Sequence, residues 1–256
     1  MRHIIGMPFR AVWKIFFVLN FVISLIVLYP VFFILLSREN WYPAAFRIMR
    51  FWARWVVHIP GIAVRVKDEN RNASIPQPCV FVANHTSYLD IVISYIAIRN
   101  YFVYMGKAEI DKAPFLRIFF RDHLNGSKAM NIYVNRKSRS GSYTAFQRAD
   151  EKLRKGISLF LYPEGTIESN GRLKPFKNGA FRLAISNQVP VVPVTFLNNW
   201  TLLQNGGFLK SFGRPGIAEV IVHEPVPTKG LDEKDLISLR HQVREIIAND
   251  LKHYES

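Results

Sequence analysis

Cysteine is nearly missing from this sequence of 256 residues: Cys79 is the only one. A single thiol excludes an intramolecular disulfide and any zinc site built on cysteines. Its place in the apolar run Cys79-Val80-Phe81-Val82-Ala83 predicts a core residue and fits a reducing, cytoplasmic face. Metal ligands at helical spacing are absent too. His58, His123 and His223 are scattered and offer no His-x-x-x-His pair to go with His85, so metal-assisted hydrolysis has no ligand set and no metal site is expected. Acidic residues are the third scarcity. Nineteen Asp and Glu stand against 34 Lys and Arg, a formal net charge of +15, which favours an anionic partner, either a nucleic acid or a membrane surface. There is no internal repeat and no low-complexity tract.

Apolar residues, by contrast, make up 49% of the chain, enough for one large domain and an appended segment. From Ile15 to Leu36 the sequence carries no formal charge, and about 22 residues of helix would cross a hydrocarbon core of roughly 30 Å. Such a stretch exceeds the h-region of a cleaved signal peptide, about 7–15 residues, and no small-x-small cleavage site precedes Arg38. Membrane lipid is therefore the expected anionic partner, and nucleic acid is not. Arg2, Arg10 and Lys14 precede the run while Arg38, Arg47, Arg50 and Arg54 follow it, so the positive-inside count is balanced and both ends suit the cytoplasmic side. Tyr29-Pro30 is a candidate kink. Between Trp41 and Ile59, Arg47, Arg50 and Arg54 alternate with Phe46, Met49, Phe51, Trp52, Trp55 and Val56, a pattern that suits a helix lying in the interface plane. A single span and a helix pair dipping into one leaflet both fit, and the basic aromatic stretch favours the pair.

After Pro60-Gly61 the composition turns globular, which divides the chain into a membrane anchor over 1–60 and a catalytic domain over 61–256. Strands are expected over Ile62–Val66, Cys79–Ala83, Tyr101–Tyr104, Asn131–Asn135, Ile157–Tyr162, Val189–Leu197 and Ile217–Val222. Helices are expected from a Ser87 cap to about Ile98, around the Phe115-Leu116 cluster, from a Ser142 cap through Tyr143, Phe146, Ala149 and Leu153 to Gly156, over Phe176–Asn187, and from Leu231 to about Tyr254. This alternation predicts an α/β fold, a mostly parallel sheet flanked by helices, behind an N-terminal membrane-associated helical segment.

Two clusters end apolar strands. In Asn84-His85-Thr86-Ser87-Tyr88-Leu89-Asp90, residues five apart on one helix lie roughly 140° from each other, so His85 has to precede the helix that carries Asp90. From a strand-to-helix turn the imidazole can fold over the first helical turn, give one ring nitrogen to Asp90 and keep the other as a base. The plainer reading also stands: Ser87-Tyr88-Leu89-Asp90 matches a capping box. The second cluster, Tyr162-Pro163-Glu164-Gly165-Thr166, sits at the C-terminal edge of a strand, where open α/β sheets place ligand sites, although an ordinary turn has the same composition. Gly165 permits close approach of the backbone, and Glu164 and Thr166 offer an acceptor and a hydroxyl.

Taken together, the two clusters resemble the PlsC-like glycerolipid acyltransferases, the lysophosphatidic acid acyltransferase family. The resemblance runs from about Ile62 to Leu197: the His-x-x-x-x-Asp block at Asn84 to Asp90, Ile132-Tyr133-Val134-Asn135-Arg136, the block at Tyr162 to Thr166, and Val192-Pro193-Val194. Lys107 stands where members tend to carry a lysine. What the resemblance implies is an O-acyltransferase that takes its acyl chain from acyl-CoA or acyl-carrier protein, with no bound cofactor. The acceptor implied is a lysophospholipid, 1-acylglycerol 3-phosphate, giving phosphatidate. His85 would be the general base and Asp90 its orienting carboxylate. Glu164, Gly165 and Thr166 would position the acceptor, and Arg136 and Lys107 would bind its phosphate. Members commonly carry Arg directly after Glu-Gly-Thr, where this chain has Ile167, with Arg172 and Lys174 as possible substitutes. That departure keeps open another lysolipid or lipid hydroxyl as acceptor. A different class, a non-catalytic basic adaptor on the membrane, would explain charge and anchor but leave both clusters as coincidence.

Overall fold

A computed structural model describes residues 2–69, 75–107, 117–120, 122, 128–134, 139–207 and 210–255. The chain begins with two helices, α1 (Arg2–Leu35) and α2 (Tyr42–His58), and continues as β1 (Ile62–Asp68), β2 (Val80–Ala83), α3 (Leu89–Ala97), β3 (Phe102–Lys107), β4 (Ile132–Val134), α4 (Arg139–Arg154), β5 (Ser158–Leu161), α5 (Gly179–Ser186), β6 (Val191–Phe196), α6 (Asn199–Leu202), β7 (Gly216–Val222) and α7 (Leu236–Glu255). The strands form one sheet in the order β1-β7-β6-β2-β5-β3-β4. Neighbours are parallel except β6 and β7, so β6, β2, β5, β3 and β4 share one direction and β1 and β7 the other. The α/β fold with a mostly parallel sheet is as the sequence pattern predicts.

Every residue of β2, β5 and β6 is buried, which is why these segments read as mainly apolar runs, with Ser158 and Thr195 the polar exceptions, instead of alternating ones. Helices α2 and α3 pack together on one side of the sheet, and α4, α5 and α7 form the other layer. Phe46 of α2 meets Phe102 of β3 edge-on with ring centroids 5.0 Å apart, and Phe81 of β2 stacks near Phe160 of β5 at 6.0 Å. These rings form the centre of a single core that also takes in Trp13, Phe32, Val243 and Ile247.

Helix α1 runs unbroken through Tyr29-Pro30, and its stretch Phe9–Leu35 is long and apolar enough to cross a membrane. It lies antiparallel to α2, joined by polar groups: Trp52 Nε1 donates to Ser24 Oγ at 2.8 Å, Trp55 Nε1 to Asn20 Oδ1 at 3.1 Å, and Asn20 Nδ2 to the Val56 carbonyl at 3.2 Å. The stripe Trp13, Phe17, Leu25 and Phe32 faces protein, while Phe16, Leu19, Ile23 and Val27 are exposed.

Several expectations need correction. In α2, Phe46, Met49, Trp52 and Val56 are buried in protein, Phe46 against Phe102 of β3 and Trp52 against Phe21 and Phe32 of α1, and only Phe51 and Trp55 of the aromatic set stay exposed, beside Arg47 and Arg54. Periodicity groups residues on a face without saying what covers it. Helix α4 starts at Arg139, so Ser142 lies inside it and not at its N-cap; one glycine at 141 costs only about 1 kcal/mol against a helix that buries Ala145, Ala149 and Leu153. Tyr143 accordingly points outward. The terminal helix begins at Leu236, after a short 3-10 turn in which Asp232 accepts from the Lys234 amide. Around Phe115-Leu116 the expected helix lies outside the described residues, which resume with a 3-10 turn at Arg117–Phe119.

Candidate active site

The site grows from the ends of two neighbouring strands. Val82 of β2 pairs with Leu161 of β5, so the loops leaving both strands emerge side by side at one sheet edge. Beyond β2, the Asn84 side chain takes over as a strand would: its Oδ1 accepts from the Phe196 amide at 2.8 Å and its Nδ2 donates to the Phe196 carbonyl at 2.9 Å. With pairing to β6 completed by a side chain, the main chain is free to turn.

Asp90, in the first turn of α3, is fully buried and gathers that turn around itself. Its Oδ2 accepts from the Thr86 amide at 2.6 Å, the Ser87 amide at 2.9 Å and His85 Nδ1 at 3.0 Å. Ser87 Oγ accepts from the Leu89 amide at 3.1 Å and donates to the Leu203 carbonyl at 2.5 Å. The turn amides and the His85 ring therefore meet on one carboxylate oxygen. A carboxylate facing Nδ1 fixes the proton there, which leaves Nε2 as the basic nitrogen; no described residue bonds to Nε2. As the helical-angle argument requires, His85 lies before the helix, in the turn.

The second cluster holds His85 by its backbone. Glu164 Oε1 accepts the His85 N–H at 2.7 Å, and the Glu168 amide donates to the His85 carbonyl at 2.8 Å. Glu164 Oε2 is occupied as well, by the Lys174 amide at 2.9 Å. Burial pushes the Glu164 carboxyl up to about 7, against the two amide donors that pull it down. The Tyr162 ring stacks on the imidazole at 3.9 Å and 16°. Gly165 has φ +81°, and its amide closes the turn onto the Tyr162 carbonyl at 3.1 Å; a side chain there would be strained. Thr166 is exposed, with Lys174 Nζ 3.4 Å from its hydroxyl, while that same ammonium pairs with Glu168 at 2.7 Å.

His85, Asp90, Glu164, Gly165 and Thr166 are thus brought together. Lys107 ends β3, and its side chain lies outside the described residues, as does Arg136. Ile167 is half-buried and Arg172 exposed. Cys79 is no nucleophile: it sits at the other end of the β2 run, its thiol pushed up to about 12 by burial. The sequence reading missed Asn199, whose Nδ2 donates to Asp90 Oδ1 at 2.7 Å. Its only signal was the polar pair Asn198-Asn199 just beyond a third buried strand.

A histidine with one ring nitrogen held by a buried carboxylate and no partner among the described residues on the other is an arrangement for taking a proton from a hydroxyl. Residues 63–197 match the family model described as Acyltransferase. The chain is 32% identical over 194 residues to the human 1-acyl-sn-glycerol-3-phosphate acyltransferase beta, covering 75% of this chain and 66% of that protein. It is 29% identical over 179 residues to the chloroplastic 1-acyl-sn-glycerol-3-phosphate acyltransferase BAT2 of Brassica napus, covering 70% and 49%. The chain thus spans between about half and two thirds of the length of these curated relatives. Its fold is shared with the crystal structure of the 1-acyl-sn-glycerophosphate (LPA) acyltransferase PlsC from Thermotoga maritima, with a TM-score of 0.73 at 24% identity over 96% of this chain and 98% of that one.

Proposed function

This chain belongs to the acyltransferase family, and we propose that it moves an acyl chain from acyl-CoA or acyl-carrier protein to the sn-2 hydroxyl of 1-acylglycerol 3-phosphate, giving phosphatidate. The observation that carries the reading is the His85 Nδ1 to Asp90 Oδ2 bond at 3.0 Å on a turn clamped from both sides. His85 Nε2 takes the hydroxyl proton as the oxygen attacks the thioester carbonyl. The tetrahedral intermediate expels the thiolate, which recovers the proton from the imidazolium, and Asp90 stabilises that cation in between. No covalent acyl-enzyme is needed. Arg136 and Lys107 are the proposed phosphate ligands, and the loop at Glu164, Gly165 and Thr166 forms one wall of the acceptor site.

We place the reaction at a membrane surface, with the catalytic domain on the cytoplasmic face. Helix α1 is tied to the domain along its length: Trp13 Nε1 donates to the Pro60 carbonyl at 2.8 Å, Lys14 Nζ to Ser211 Oγ at 2.7 Å, and Phe32 meets Phe119 at 5.0 Å. Standing such a helix upright across a bilayer would drag the domain into hydrocarbon. A helix pair in one leaflet, with the exposed apolar row of α1 downward, suits these ties better.

Ile167, at the position where the family resemblance implies Arg, supports a second reading in which the same chemistry serves another lysolipid or lipid hydroxyl. Paired donors, acyl-CoA and acyl-carrier protein, tested against a panel of lysolipids with wild type, His85→Ala and Glu164→Ala, decide between them. Preference for the phosphate-bearing lysolipid and loss of transfer in His85→Ala are expected. Equal rates on all acceptors would sink the first reading, and turnover retained by His85→Ala would refute the base.

A further inference from the structure

Asp90 has two oxygens with different company. Oδ2 carries the His85 ring and the two turn amides, while the one side-chain donor to Oδ1 among the described residues is the Asn199 amide at 2.7 Å. Asn199 is fully buried at the start of α6, and no donor among the described residues reaches its own Oδ1. Turning the amide over would set two acceptor oxygens against each other at the same distance, so Asp90 decides its orientation. A buried amide with a stranded acceptor costs stability, and an apolar side chain in that place would avoid the cost. The amide is retained against that cost, which makes its one bond the reason for its presence.

The bond is also held rigidly from behind. Asn198 accepts from the Glu219 amide at 3.0 Å through Oδ1 and donates to the Ile217 carbonyl at 2.9 Å through Nδ2. Those two bonds pin the first turn of α6 to β7, two strands away from β2. A continuous polar path therefore leads from β7 through Asn198 and Asn199 to Asp90 and His85. We propose that Asn199 is a positioning residue for the acid–base pair: by holding Oδ1 it fixes the plane of the Asp90 carboxylate, so that Oδ2 faces Nδ1 and the two amides together. This inference rests on the proposed role of His85 for its catalytic consequence, but not for its geometry. Among the described residues, the titratable groups around the start of α6 are Asp90 and His85 on the turn into α3, Glu164 bonded to the His85 backbone, Glu219 on β7, Tyr254 of α7, whose hydroxyl accepts from Asn198 Nδ2 at 2.9 Å, and Arg214, whose Nε donates to the Thr201 carbonyl at 3.3 Å.

The test uses the full-length protein with Asn199→Ala and Asn199→Asp, the second conserving volume in case the alanine cavity prevents folding. In a transfer assay Asn199→Ala is expected to lower kcat about 10²-fold, the loss typical of a misplaced catalytic group, with KM changed less than about threefold. Asn199→Asp sets a second carboxyl against Asp90; while protonated it can still donate to Oδ1, so its activity deficit should deepen as pH rises. A purely structural residue would lower thermal stability without giving that pH dependence. Independently of turnover, protein labelled with ¹⁵N-histidine should show a downfield Nδ1–H proton for His85 in wild type that moves upfield in Asn199→Ala. Folded variants with wild-type kcat, pH profile and His85 resonance would overturn the inference. Absence of transfer by wild type with every donor and acceptor would instead overturn the proposed function, and the resonance would still decide whether Asn199 positions the pair.

Discussion

His85 and Glu164 are joined through the main chain of one and the side chain of the other: the Glu164 carboxylate accepts the His85 N–H at 2.7 Å and the Lys174 N–H at 2.9 Å. A residue occupied in this way holds His85 in place, whatever else it contributes to the proposed acceptor site. Glu164→Gln offers one acceptor oxygen where the two N–H donors need two, leaving a backbone amide unpaired at a cost of about 1–3 kcal/mol, and Glu164→Ala abandons both. We expect denaturant unfolding to show both losses, the alanine variant the larger, with kcat falling in parallel. Unchanged stability with a raised KM alone would mean that Glu164 serves the acceptor and not the turn.

The same carboxyl makes stability depend on pH. Its folded value, raised to about 7 by burial, lies above the ordinary 4.5 of an unfolded glutamate, so between those values the folded state holds more of the proton than the unfolded state. The stabilisation is complete below pH 4.5 and is lost as pH rises through 7, up to about 3 kcal/mol. Urea unfolding from pH 4.5 to 7.5 should show that decline in wild type and a flatter line in Glu164→Gln. A flat wild-type line would mean that the two amide donors outweigh burial.

These backbone bonds explain what a sequence can tell and what it cannot. His85, Asp90 and Glu164 were legible because each lies just past a fully buried apolar run, and strands of that kind end at a common edge. That Glu164 would grip the backbone of His85 was not legible, since main-chain partners leave no trace in residue identity. Asn199 escaped for a related reason: a lone buried amide looks like any loop asparagine until its partner 109 residues away is known. The length and apolar character of α1 are legible in composition alone, whereas the buried face of α2 is not, because amphipathic spacing cannot distinguish lipid from a protein core.

Asp90 holds the turn amides and the His85 ring on one oxygen, and substitutions separate its bond to the turn from the proposed orientation of the base. Asp90→Asn keeps the size but, with its amide nitrogen toward the turn, faces three donors with a donor; turned over, it sets that nitrogen against the Asn199 amide. Helix-cap loss of about 0.5–2 kcal/mol is expected from the amide partners alone. Loss of the tautomer and of imidazolium stabilisation should cost a further 10²- to 10⁴-fold in kcat, about the range seen when the orienting carboxylate of an acid–base pair is removed. Steady-state rates at full acceptor saturation, set beside melting curves, give both quantities. A stability loss with kcat intact would confine Asp90 to the cap.

Membrane association is tested by contrasting the two faces of α1. Leu19 and Ile23 are exposed while Phe32 is fully buried against Trp52 and Phe119. Replacing the outer pair together, Leu19→Glu and Ile23→Glu, removes apolar area from the lipid side and puts two charges where hydrocarbon is proposed, without touching a protein contact. Cosedimentation with anionic phospholipid vesicles should fall at least tenfold while the melting temperature in detergent stays within a few degrees. Phe32→Ala should do the reverse, costing about 3–5 kcal/mol of stability through the cavity it leaves, with vesicle binding retained by the folded fraction. Labelling of single cysteines introduced at Arg10 and Arg38 in a Cys79→Ser background, in sealed vesicles, then settles the topology. Both ends of α1 on the catalytic-domain side fit a pair lying in one leaflet, because a spanning helix would hide one of them. If the two sites react from opposite sides, α1 crosses the bilayer and its ties to Pro60 and Ser211 must open in the membrane.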